Sequence, residues 1–89
     1  MSEWTDESRP ALTALYRMQW EEAQQCWVLL YPEGMVKLNA PAAEILKRCN
    51  GETPVRALVA DLQATFGEAD LRADVLDFLE QAHGRGWIR

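Results

Sequence analysis

The stretch LYRMQWEEAQQCWVLLYPEGMVKL, residues 15–38, decides the fold. Its first part, 15–20, alternates. Tyr16, Met18 and Trp20 fall on one face, Arg17 and Gln19 on the other, which is the period of a strand. Glu21 to Gln24 is a polar break. Residues 25–31 are apolar on both faces and read as the central strand of a small meander, or as one covered on both sides. Pro32, Glu33 and Gly34 are turn chemistry. Proline presets a negative φ, and glycine adopts positive φ where a chain reverses. Met35, Val36, Lys37 and Leu38 then form a short third strand.

Beyond this stretch the period changes to that of helices. Asn39 is placed as an N-cap with Pro41 in the first turn. Ala42, Ile45, Leu46 and Cys49 share one helical face, and Gly51 is expected as the C-cap. Thr53 as N-cap and Pro54 at the first position open a second helix. Its stripe is Val55, Leu58, Val59, Leu62 and Phe66, closed by Gly67. Asp70 is expected to cap a third helix with the stripe Leu71, Val75, Phe78, Leu79 and Ala82. Gly84 and Gly86 end it, leaving Trp87, Ile88 and Arg89 to pack back or to add a short strand. Upstream, residues 1–10 are polar and read as a flexible N-terminal arm, so the domain spans 11–89.

Three strands followed by three helices is an α+β order, a three-stranded antiparallel meander with a winged-helix-turn-helix-like helical part. The chain has 89 residues, enough for one domain with one modest core. Hydrophobic residues make up 48%, too many for a disordered chain. No apolar run approaches the ~18 residues of a membrane span. The acidic start lacks the apolar stretch of a secretory signal, and the expected compartment is cytoplasmic.

Charge narrows the function. Fourteen acidic residues face nine basic ones, for a net charge of −5, and the bases do not cluster. A phosphate backbone is a poor partner for such a surface. The third helix sets Arg72 and Arg85 against Asp70, Asp74, Asp77 and Glu80, the reverse of a DNA-recognition helix. A small winged-helix DNA-binding regulator is therefore the alternative reading, not the first.

Catalytic inventory is missing as well. There is no CxxC pair, HExxH helix, Gly-rich phosphate loop or Ser-His-Asp set. Cys26 and Cys49 sit within apolar patterns and read as small buried hydrophobes. His83 suits the C-terminal end of the third helix. Trp20 and Trp87 read as core or core-edge residues. The expectation is no enzyme, no cofactor and no metal.

Binding of a peptide or protein is what the pattern supports. A meander leaves open strand edges, and unpaired N–H and C=O groups template an added strand. A groove between the third strand and the third helix would offer backbone hydrogen bonds on one side and apolar pockets on the other.

The segment Tyr31-Pro32-Glu33-Gly34-Met35-Val36-Lys37-Leu38-Asn39, followed by Ala43, Ile45, Leu46 and Gly51, resembles the signature stretch of the pyrroloquinoline quinone (PQQ) biosynthesis protein D family, PqqD. Arg17 to Glu21 is similar to the family's first-strand segment, often Arg-Leu-Gln-Trp-Asp, with Met18 and Glu21 as conservative departures. Asp74, Val75, Phe78, Leu79, Gly86 and Trp87 match its third helix and C-terminal end. The resemblance covers about residues 10–88.

It implies a peptide chaperone that binds the precursor peptide PqqA and presents it to the radical SAM enzyme PqqE, which cross-links a glutamate and a tyrosine of that peptide. It also implies a RiPP recognition element, in which a leader peptide adds to the third strand and rests against the third helix. Carried over, Met35, Val36, Lys37 and Leu38 supply the edge. Leu71, Asp74, Val75 and Phe78 supply the opposite wall. Leu38, Ile45, Leu46 and Leu79 are expected in the core, and Gly34 and Gly51 at positions of special backbone geometry. Asp74 is left between a partner contact and plain solvation. The expected state is a monomer in dilute solution, with dimers or strand swapping possible through the open edges.

Overall fold

The structure, a computed structural model, describes residues 4–67 and 70–89. Its elements run β1 (Arg17–Glu21), β2 (Cys26–Tyr31), β3 (Gly34–Lys37), α1 (Ala40–Leu46), α2 (Val55–Phe66) and α3 (Arg72–Gly84). The antiparallel sheet has the order β1-β2-β3, so the doubly apolar segment is the central strand. The α+β meander-then-helices architecture is as the sequence implies.

Register sorts the sheet into two faces. Met18, Leu29 and Val36 form one row across the three strands, and Arg17, Leu30 and Met35 form the next. The first row faces the helices: Leu29 is fully buried, and Met18 and Val36 pack against the core. Val28 is also fully buried, yet it stands outside that core cluster, between Gln19 and Lys37 on the other face.

The core is built by β2 and all three helices. Leu38, Ile45, Leu46, Val55, Leu58, Leu62, Val75, Leu79 and Ile88 are buried in one cluster with Leu29. The helical stripes predicted from spacing supply nearly all of it. Two expected members do not belong. Phe66 is 51% exposed and Trp20 is 42% exposed. Phe66 is the last residue of α2, where the stripe runs past the core's end. Trp20 lies edge-on to Trp27 at 5.8 Å, and its Nε1 donates to Glu22 (2.8 Å), so an exposed indole keeps a polar partner. Trp87 does pack against the core. Cys49 is buried, but Cys26 is only half-buried, on the outer sheet face.

Local chemistry differs from the sequence reading at several ends. Asn39 caps α1 as expected, its Oδ1 accepting from Ala42 N (2.8 Å). Gly51 is not the C-cap. The helix closes at Leu46 through tighter bonds from Arg48 N to Ile45 O and from Cys49 N to Leu46 O. Gly51 does take positive φ (79°), but for another reason: its N–H donates to Pro10 O, and a Cβ there would lie 3.3 Å from the Ala11 Cβ. Thr53 does not cap α2. Its N–H donates to Asn50 Oδ1 in an Asx-type turn, and Pro54 takes the N-cap position. Asp70 does not cap α3. Leu71 takes that place, with no side-chain cap, and its N–H donates to Gln63 Oε1 of α2. Gly34 does not adopt positive φ. It opens β3 opposite Tyr31, and a Cβ there would meet the Tyr31 hydroxyl at 3.4 Å, an ordinary van der Waals contact. Gly67 is the left-handed C-cap of α2 as read (φ 69°).

Residues 4–13 and 87–89 pack back on the domain. Trp87, Ile88 and Arg89 pair with residues 11–13 through Thr13 N to Trp87 O, Arg89 N to Ala11 O and Ala11 N to Arg89 O. Residues 4–10, read from sequence as part of an arm, lie along α2 and α3. Trp4 packs against the core and Pro10 is fully buried. Met1, Ser2 and Glu3 lie outside the described residues.

Candidate peptide-binding site

β3 is an edge strand: among the described residues it has β2 on one side and no strand on the other. Which of its backbone groups are free follows from the pairing. Leu38 N donates to Trp27 O (2.9 Å), which fixes Trp27 and Leu38 as a hydrogen-bonded pair. Such pairs alternate in an antiparallel ladder, so Gly34, Val36 and Leu38 point their N–H and C=O groups at β2. Met35 and Lys37 point theirs to the open edge. Their side chains are exposed, while Val36 is half-buried and Leu38 buried.

Beside the end of this strand lies an apolar groove of about 350 Å³. Ala40, Pro41, Glu44 and Ile45 of α1, Leu62 and Phe66 of α2, and Leu71, Asp74 and Val75 line it. The strand edge and the groove are contiguous along the chain, because β3 ends at Lys37 and α1 begins at Ala40. Three of the four residues expected on the α3 wall, Leu71, Asp74 and Val75, therefore meet in one place. Phe78 does not line the groove; it is half-buried and packs on the core one turn further along α3. The edge residues 35–38 border the groove from the chain direction and do not line it.

The sequence reading missed the contributions of α1 and α2. Two signals pointed to them. Phe66 ends an apolar stripe beyond the helix's last core turn, and Pro41 sits exposed at a helix start. Spacing along a single helix does not disclose that these two ends converge on the start of α3.

Two carboxylates border this apolar space. Glu44 accepts from Lys47 Nζ (2.9 Å) and from Arg48 (3.0 Å), and these partners hold its carboxyl below the usual range. Arg48 also pairs with Asp61, so α1 and α2 are joined at their outer side. Asp74 stands exposed in the first turn of α3. Apolar walls with a few placed polar groups are the usual make-up of a binding groove. Among the described residues no group of His, Cys, Asp and Glu is arranged to hold a metal ion. The Cys49 thiol is no nucleophile: it donates to Ile45 O, and burial pushes its pKa up to about 12.

This architecture is found in known proteins. A solution NMR structure of the PqqD truncation of Methylobacterium extorquens PqqCD, described as a functional, stand-alone RiPP recognition element, superposes with a TM-score of 0.81 at 25% identity, over 99% of this chain and 96% of that one. A PqqA binding protein of Azotobacter vinelandii is 53% identical over 89 residues, covering 99% of this chain and 97% of the relative. A PqqA binding protein of Methylococcus capsulatus is 47% identical over 78 residues, covering 88% and 84%. The family model for coenzyme PQQ synthesis protein D (PqqD) matches residues 26–88, a span that takes in β2, the β3 edge, the groove and the returning C-terminus. The chain belongs to the PqqD family.

Proposed function

We propose that this chain is a non-catalytic peptide chaperone of PQQ biosynthesis, which binds the precursor peptide PqqA and presents it to the radical SAM enzyme PqqE. The observation that carries the reading is the open β3 edge, followed along the chain at Ala40 by the first wall of an apolar groove, in a chain whose relatives are PqqA binding proteins. The peptide adds as a strand beside β3, pairing with the outward groups of Met35 and Lys37. A flanking apolar side chain enters the groove against Leu71 and Val75. Main-chain pairing supplies affinity that is tolerant of sequence, and the groove supplies choice. Holding the peptide on a carrier turns the enzyme's search for a floppy substrate into a tethered encounter. The carrier acts as a monomer in dilute solution.

The acidic α3 surface supports this reading over DNA binding. Arg72 is engaged by Asp6 (2.8 Å), leaving Asp74, Asp77 and Glu80 to dominate the exposed face. NMR titration of the labelled protein with PqqA is the test. Shifts are expected at 35–37, 40–41 and 71–75. Shifts confined to the α1–α2 connection would sink the groove placement. A mobility-shift assay at low salt checks the alternative, which requires strongly salt-dependent duplex binding.

A further inference from the structure

We infer that residues 4–10 form a positioning strap, with Asp6 as its key residue, that sets the start of α3 against the groove. The inference rests on the peptide-binding reading for its functional consequence, though not for its structural part.

The start of α2 needs partners it does not contain. Its N-cap is Pro54, which has no side-chain cap, and the first N–H groups of any helix lack intrahelical acceptors. The strap supplies them: Val55 N donates to Ser8 O (2.8 Å) and Arg56 N to Asp6 O (3.0 Å). The same segment then grips both helices through side chains. Glu7 pairs with Arg56 of α2, and Asp6 pairs with Arg72 of α3, each at 2.8 Å. Trp4 meets His83 edge-on at 5.6 Å near the far end of α3. One short segment thus caps α2 and holds α3 at its first and last turns.

Arg72 follows Leu71 and precedes Asp74 and Val75, three residues that line the groove. No side-chain cap orders this turn from within α3. Besides the core packing of Val75, two contacts from outside α3 place it: Gln63 of α2 accepts from Leu71 N, and Asp6 holds Arg72. Residues remote from the peptide therefore tune, on top of the core packing of Ile45 and Val75, the spacing between the groove's α3 wall and its α1 wall. Asp6 itself does not line the groove, so its effect on binding is indirect.

The experiment compares the wild-type chain, a variant lacking residues 1–8, Asp6→Arg, and Asp6→Arg combined with Arg72→Asp. Amide hydrogen exchange and calorimetric titration with synthetic PqqA are the two readouts, and circular dichroism monitors folding. Truncation is expected to speed exchange at Val55 and Arg56 roughly tenfold, the size of a lost cap. Asp6→Arg is expected to speed exchange at Leu71 and Val75 and to weaken PqqA binding roughly two- to fivefold, with the charge swap restoring both. If truncation unfolds the chain, the Asp6→Arg pair decides alone. Unchanged PqqA affinity in Asp6→Arg overturns the inference and leaves the binding reading intact. If the wild type takes up no PqqA, the binding reading fails. The exchange data then decide the strap by themselves, and unchanged protection at Leu71 and Val75 in Asp6→Arg overturns it.

Discussion

Leu29 of β2 and Val36 of β3 stand directly opposite each other on the helix-facing side of the sheet. Their pairing belongs to the hydrogen-bonded set fixed by the bond from Leu38 to Trp27. Met35 and Lys37 are thereby left with their polar groups at the open edge. Proline substitutions separate the two roles. Lys37→Pro is expected to preserve the circular dichroism spectrum and to abolish measurable PqqA binding by titration. Val36→Pro removes a ladder donor inside the sheet and is expected to lower the thermal midpoint as well.

Phe66 and Leu79 are both apolar residues of helical stripes, but one is half-exposed at the groove and the other fully buried. Phe66→Ala is expected to weaken PqqA binding about fivefold with little change in stability. Leu79→Ala is expected to cost about 2–5 kcal/mol in urea unfolding, since the core does not collapse fully around the void. A large stability loss in Phe66→Ala would show that residue to be structural.

Asn39 caps the short helix that joins the strand edge to the groove. Asn39→Ala is expected to destabilise the fold by about 1 kcal/mol, and Asn39→Asp to be tolerated. Chemical denaturation of the three proteins checks the order.

Cys49 gives a pH dependence. Burial moves its thiol from 9.0 to about 12 in the folded chain. The unfolded chain therefore loses this proton first. Below pH 9 the group leaves stability unaffected, and above it the unfolding free energy falls by up to about 1.4 kcal/mol per pH unit until the folded thiol also ionises. Cys49→Ala is expected to flatten that part of the profile. Thiol labelling at pH 8 is expected to modify half-buried Cys26 and to reach Cys49 only on unfolding.

The strand-to-helix switch at Asn39 and the three apolar helical stripes were legible because each rests on local periodicity. The edge residues Met35 and Lys37 were legible as a short strand, but not as the outward pair. That distinction comes from the register with β2. Capping was the least legible feature. Asp70 and Thr53 have the chemistry of caps, yet Gln63, Ser8 and Asp6 supply the partners from distant sequence.

By itself the sequence determined the order of elements, the buried faces of the helices and the family resemblance, since these depend on spacing within a dozen residues. Tertiary structure alone decided which residues share the groove. Pro41, Phe66 and Leu71 end or begin three separate helices, and only the packing of those helices brings them together. It also decided that residues 4–10 close over α2 and α3: the contact to α2 uses backbone carbonyls, which every residue type has, and the contact to α3 pairs Asp6 and Trp4 with Arg72 and His83, far away in sequence.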